Sequence, residues 1–69
     1  MTARNPQIDT KPGDVLERQG QRRTVEAICE NAVYYRIEEM PLGTEPLYSR
    51  WVEWWRWAGK AQVVRRAKG

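Results

Sequence analysis

The chain has no histidine, one cysteine, one serine and no apolar run of membrane-spanning length. Without histidine the commonest general acid–base is missing, and Cys29 alone leaves too few ligands for a zinc site of the usual Cys/His kind. A lone cysteine permits no internal disulfide and suits a reducing compartment. No window approaches the roughly 18–20 apolar residues of a bilayer span. Met1-Thr2-Ala3-Arg4-Asn5-Pro6 carries no signal-peptide stretch, so a soluble cytoplasmic protein is expected. Ser49 fits a helix cap better than a nucleophile. Gly13, Gly20, Gly43 and Gly59 stand alone as turn glycines and build no phosphate loop. Asp14/Glu17 and Glu38-Glu39 are pairs only in sequence and read as exposed turn or strand acids. No enzyme activity, cofactor or metal is expected.

Tryptophan is what the chain has in excess. All four indoles fall in Trp51-Val52-Glu53-Trp54-Trp55-Arg56-Trp57. At 69 residues there is one domain at most, and a core of that size supplies only about 3–5 kcal/mol net. Aromatic burial is the largest apolar contribution per residue, and indoles also stack on bases and guanidinium groups. The cluster therefore either holds the domain together or carries its binding.

Residues 1–12 read as a disordered lead-in, polar and containing Pro6 and Pro12. Pro12-Gly13-Asp14 is a turn launching a first strand, Val15-Leu16-Glu17-Arg18, and Gln19-Gly20-Gln21 reverses it. A second strand spans about Arg22 to Glu30, with Val25, Ala27 and Cys29 on its apolar face. Ile28 breaks that alternation, as beside a bulge or under a covering loop. Val33, Tyr35 and Ile37 share one face of a third strand, opposite Tyr34, Arg36 and Glu38. Met40 to Pro46 is a loop, and Leu47-Tyr48 forms a brief fourth strand. After Ser49 as cap, Trp51, Trp54, Trp55 and Ala58 fall at i, i+3, i+4 and i+7, the stripe of a core-facing helix. Gly59 stops it, Ala61 to Arg65 is the last strand, and residues 67–69 fray.

The predicted fold is mainly β: a small SH3-like barrel over residues 13–66, of about five short strands with one Trp-rich helix before the last. An OB-fold ranks second. Its core would contain Val15, Val25, Ala27, Val33, Tyr35, Ile37, Trp51, Trp54, Trp55 and Val63.

Charge is uneven. Residues 1–49 hold six basic and eight acidic groups, whereas residues 50–69 set Arg50, Arg56, Lys60, Arg65, Arg66 and Lys68 against Glu53 alone. Such asymmetry is the footprint of a polyanion partner, and equally that of a solvated basic end. Nine of the twelve cations are arginine, the residue suited to bidentate phosphate contact and stacking. Trp57, off the stripe's centre between Arg50 and Arg56, is the candidate contact indole, with Tyr34 next.

Two stretches carry a resemblance: Lys11-Pro12-Gly13-Asp14-Val15-Leu16-Glu17-Arg18-Gln19-Gly20 continuing to Arg22-Arg23-Thr24-Val25, and Arg56-Trp57-Ala58-Gly59-Lys60-Ala61-Gln62-Val63-Val64. Across residues 11–66 the chain resembles short phage- and prophage-encoded proteins of unknown function. The resemblance implies a small β-barrel and a mobile-element origin, with no catalytic residues to carry over. The opening is also similar to SH3-like modules of transcription and ribosomal proteins. The functional expectation is a non-enzymatic module contacting nucleic acid through Arg50, Arg56, Trp57, Lys60, Arg65 and Arg66, with Tyr34 and Arg36 beside them. The alternative is a phage accessory protein that binds a host protein through Trp57, Tyr34 and the 40–46 loop. A monomer or weak homodimer is expected, with neither membrane nor metal as partner.

Overall fold

The computed structural model describes residues 5–41 and 43–67. Five antiparallel strands and one helix follow in the order β1 (Val15–Arg18), β2 (Gln21–Cys29), β3 (Ala32–Ile37), β4 (Leu47–Arg50), α1 (Trp51–Ala58) and β5 (Gln62–Arg65). The sheet order is β4-β3-β2-β1-β5. The protein is thus mainly β, with its single helix before the last strand. The strands β4 and β5 stand at the two ends of this order.

The β1–β2 turn follows from two residues. Gln19 and Gly20 both take positive φ, 51° and 81°, the two-residue reversal whose twist matches antiparallel strands. Arg18 then pairs with Gln21 and Leu16 with Arg23. Leu16 is buried and Val15 only partly so, which reverses the expected face of this strand.

Strand β2 contains the bulge. Val25 pairs with Tyr35 but Ala27 pairs with Tyr34, so Glu26 is an extra residue. Residues beyond a bulge swap faces. Val25 and Ile28 therefore reach the core, opposite Tyr35 and Val33, whereas Ala27 and Cys29 are exposed. The expectation that Ala27 and Cys29 point inward is corrected by this one inserted residue. Strand β3 keeps its alternation: Val33 and Tyr35 are buried and Ile37 packs against them.

Helix α1 lies over the sheet and completes the core of Leu16, Val25, Val33, Tyr35, Trp54, Ala58 and Ala61. Arg50, not Ser49, is its N-cap and makes no side-chain capping bond. Ser49 is a buried β4 residue instead.

Residues 5–12 were expected to be part of a disordered lead-in, but they are seated against the helix. Pro6 and Thr10 are buried. The Thr10 hydroxyl donates to the Pro6 carbonyl at 2.6 Å and accepts the Trp54 indole N–H at 3.0 Å. Gln7 Nε2 donates at 2.9 Å to the carbonyl of Ala58 at the end of α1, which also accepts the Ala61 N–H at 3.0 Å, and at 2.6 Å to that of Ala61 just beyond it. Asp14, expected as an exposed turn acid, is fully buried. Its carboxylate accepts the Lys11 and Ala67 amides at 2.8 and 2.7 Å, so Ala67 is tied down, not frayed. Gly13 has φ 96°, and a Cβ there would stand 3.1 Å from that of Ala67. Residues 1–4 of the expected tail and residues 68–69 lie outside the described residues.

Candidate functional site

The helix presents its indoles in a different rotation from the predicted stripe. Trp54 is fully buried and Trp51 and Trp57 pack against the core, whereas Trp55 is 48% exposed. Trp57 was the expected contact residue, but the Arg23 guanidinium sits 4.1 Å from its ring centre and 4.4 Å from that of Tyr35. Arg23 comes from β2 in the cross-strand row Val63–Leu16–Arg23–Ile37, so it faces the aromatic core. Burial pulls its pKa below the ordinary arginine value, Tyr35 acts in the other direction, and Arg18 adds to the lowering. Arginine nevertheless stays charged throughout the accessible pH range. Trp57 is half-buried and Trp55, expected in the core, is the more exposed indole.

Trp55 and Trp51 lie one helical turn apart, where side chains touch. Their rings are tilted at 37° with centres 5.2 Å apart. Trp51 Nε1 donates to the Cys29 carbonyl at 3.3 Å, which ties the helix start to the end of β2. Two depressions adjoin this pair. One, of about 410 Å³, is lined by Arg50, Trp51, Val52, Arg56, Glu53 and Asn31. The other, of about 520 Å³, is lined by Trp55, Gly59, Ile8, Asn5 and Gln7. Ile8, 73% exposed, forms its outer apolar wall.

The expected cationic residues are exposed but divided among depressions. Arg50 and Arg56 share the one beside Trp51. Arg65 and Arg66 line another with Pro12, Gly13 and Thr24, and Lys60 lines a third with Glu17 and Arg18. Among the described residues none of these five makes an ion pair. Arg36 is different: its Nε lies 2.9 Å from Glu26 Oε1, so much of its charge is answered locally. Arg22 is held similarly by Glu17 at 2.9 Å. Tyr34 is half-buried and packs against its cross-strand partner Tyr48, the rings tilted at 57° with centres 5.7 Å apart.

Sequence reasoning placed Trp55 in the core and Ile8 in a disordered lead-in, and so missed their meeting at one surface depression. On a helical wheel the set 51, 54, 55, 58 and the set 51, 54, 57, 58 are equally good stripes. Contacts from elsewhere in the chain go with the observed rotation: Arg23 over Trp57, Thr10 on the Trp54 indole and the Cys29 carbonyl on that of Trp51. Among the described residues no cluster of His, Cys, Asp or Glu could hold a metal ion, and no helix is long and apolar enough to cross a membrane. No family model, curated protein or solved structure matches this chain, and the reading of the site rests on its geometry.

Proposed function

We propose that this protein is a non-enzymatic nucleic-acid-binding module acting in the cytoplasm. One observation carries the reading: Arg50, Arg56, Lys60, Arg65 and Arg66 are exposed and free of ion pairs among the described residues, in a segment whose only acid is Glu53. Cations already paired in the fold gain little from a phosphate. Unpaired arginines gain a bidentate partner and release the counterions condensed on the polyanion. The aromatic contact belongs to the exposed Trp55 and its neighbour Trp51, beside Arg50 and Arg56. Trp57, under Arg23, serves the core.

The test is fluorescence anisotropy with labelled DNA and RNA at rising salt. Affinity should fall linearly on a log–log plot, with a slope near −0.7 to −0.9 per phosphate neutralised. The Arg50→Ala/Arg56→Ala and Arg65→Ala/Arg66→Ala double variants should each flatten that slope. Salt-independent binding, or double variants that bind like the parent, would falsify the reading.

A second reading, docking of a protein partner, has one observation of its own. Strand β4, at one end of the sheet order, carries Leu47 and Tyr48 exposed, with Tyr48 packed against Tyr34. A specific protein captured after nuclease treatment and lost on Tyr48→Ala would favour it.

A further inference from the structure

The cleft beside Trp55 is not an extension of the cationic surface. It is lined by Trp55, Ile8 and Gly59 together with Asn5 and Gln7. Gln7 Nε2 is committed to the Ala58 and Ala61 carbonyls and Asn5 Oδ1 accepts the Gln7 backbone N–H, so Gln7 Oε1 and Asn5 Nδ2 are the amide groups left for an occupant. The helix explains its shape. Trp51, Trp55 and Gly59 succeed one another at i, i+4 and i+8 along one ridge, and at Gly59 that ridge has no side chain. The missing side chain opens a slot at the end of the indole row. The ridge beside it carries Val52 and Arg56, and Arg50 stands at the helix start.

An occupant must therefore present a flat apolar face to Trp55 and Ile8 and hydrogen-bonding edges to the amides. It must also carry negative charge toward Arg50 and Arg56, on the far side of the touching Trp51–Trp55 pair. An unpaired nucleobase on its phosphate backbone has all of these. Base faces stack on indole whatever the sequence, and base edges offer donors and acceptors to an amide. A duplex keeps those faces inside its stack and shows only phosphates and groove edges. Resting on the nucleic-acid reading above, we propose that the Trp55–Ile8–Gly59 cleft is a base pocket selecting single-stranded nucleic acid over duplex, with one base stacked on Trp55 and its phosphates held by Arg50 and Arg56.

Three probes of equal length separate base from phosphate: an oligothymidylate, an abasic oligodeoxynucleotide and a duplex. An oligouridylate serves as the RNA arm. Binding is read by anisotropy, and stacking by quenching of tryptophan emission. The oligothymidylate or oligouridylate should bind about 5- to 150-fold more tightly than the abasic strand, the factor that one base–aromatic stack supplies. Trp55→Ala should remove that difference, weakening thymidylate binding far more than abasic binding, Trp55→Phe should restore part of it, and Ile8→Ala should reduce it. Both side chains are exposed, so the variants keep the core, and a thermal melt verifies that they do. Equal binding of thymidylate, abasic strand and duplex overturns the base pocket while leaving the cationic reading intact. So does a Trp55→Ala variant that discriminates like the parent. Failure of every probe to bind at low salt removes both.

Discussion

Arg23 shows how one residue bears on which indole is available. It lies on the inner row of the sheet, where an apolar side chain would be expected, and spreads its guanidinium over Tyr35 and Trp57 with Trp54 at 5.9 Å. Its Nε donates to Gln21 Oε1 at 2.6 Å, so part of the desolvated cation is satisfied on its own strand. The rest is answered by the negative faces of the rings, an attraction worth about 0.5–2 kcal/mol depending on desolvation. The aliphatic stem also covers apolar surface. Arg23→Ala should therefore lower unfolding stability by about 1–2 kcal/mol, read as a reduced urea midpoint. It should also shift tryptophan emission to the red as Trp57 meets water. If Trp57 were a ligand contact and Arg23 an ordinary surface charge, neither change would follow. Because arginine does not titrate in the accessible range, this stabilisation should be the same in mildly acidic and mildly basic buffer.

The local signals in the sequence identify most of the elements. Gln19-Gly20 states its own turn, the Val33–Tyr35–Ile37 alternation states β3, and the spacing of the indoles states a helix. What periodicity could not show were the phase changes within elements. A single extra residue at Glu26 reverses Ala27, Ile28 and Cys29; the break in alternation at Ile28 pointed to a bulge nearby, but nothing in a glutamate flanked by Val25 and Ala27 fixes its position. The rotation of α1 was hidden for a related reason: four indoles in seven positions satisfy more than one stripe, and the contacts that go with the observed one, from Arg23, Cys29 and Thr10, come from elsewhere in the chain. The helix start offers a test of function at this scale. Arg50 at the N-cap supplies no side-chain bond to the first turn, and a cation near a helix N-terminus opposes the dipole. Arg50→Asn should raise stability by about 1 kcal/mol and lower nucleic-acid affinity in the same molecule. Opposite signs in a thermal melt and a binding titration are the expected result. A variant that gains stability without losing affinity would remove Arg50 from the interface.

At the scale of the whole molecule, one sheet and one two-turn helix leave core to be covered by something else, and the N-terminal segment does part of that. Thr10, Pro6 and Gln7 link the chain's first described turn to Trp54 in the core and to the carbonyls at the end of α1. Asp14 joins the same region to Ala67 near the other end of the chain. Composition alone gave no hint of this, because a polar, proline-containing segment looks the same whether it is free or is satisfying buried donors and acceptors. The Thr10 hydroxyl is the critical atom, since it is the acceptor for a fully buried indole N–H. Thr10→Val keeps the shape of the side chain and removes that acceptor, leaving the Trp54 donor without its partner at a cost of about 1–3 kcal/mol. For a domain whose core supplies about 3–5 kcal/mol, the loss should appear as a sharply lowered melting temperature. A tail that merely trailed from the fold would tolerate the change. The same variant bears on binding. Asn5, Gln7 and Ile8 form one side of the Trp55 cleft, so loosening their seat should weaken discrimination between thymidylate and abasic strands, with little effect on phosphate contacts at Arg65 and Arg66. Stability and base selectivity falling together, with residual salt-dependent binding preserved, would show that one short segment both closes the core and builds the pocket wall.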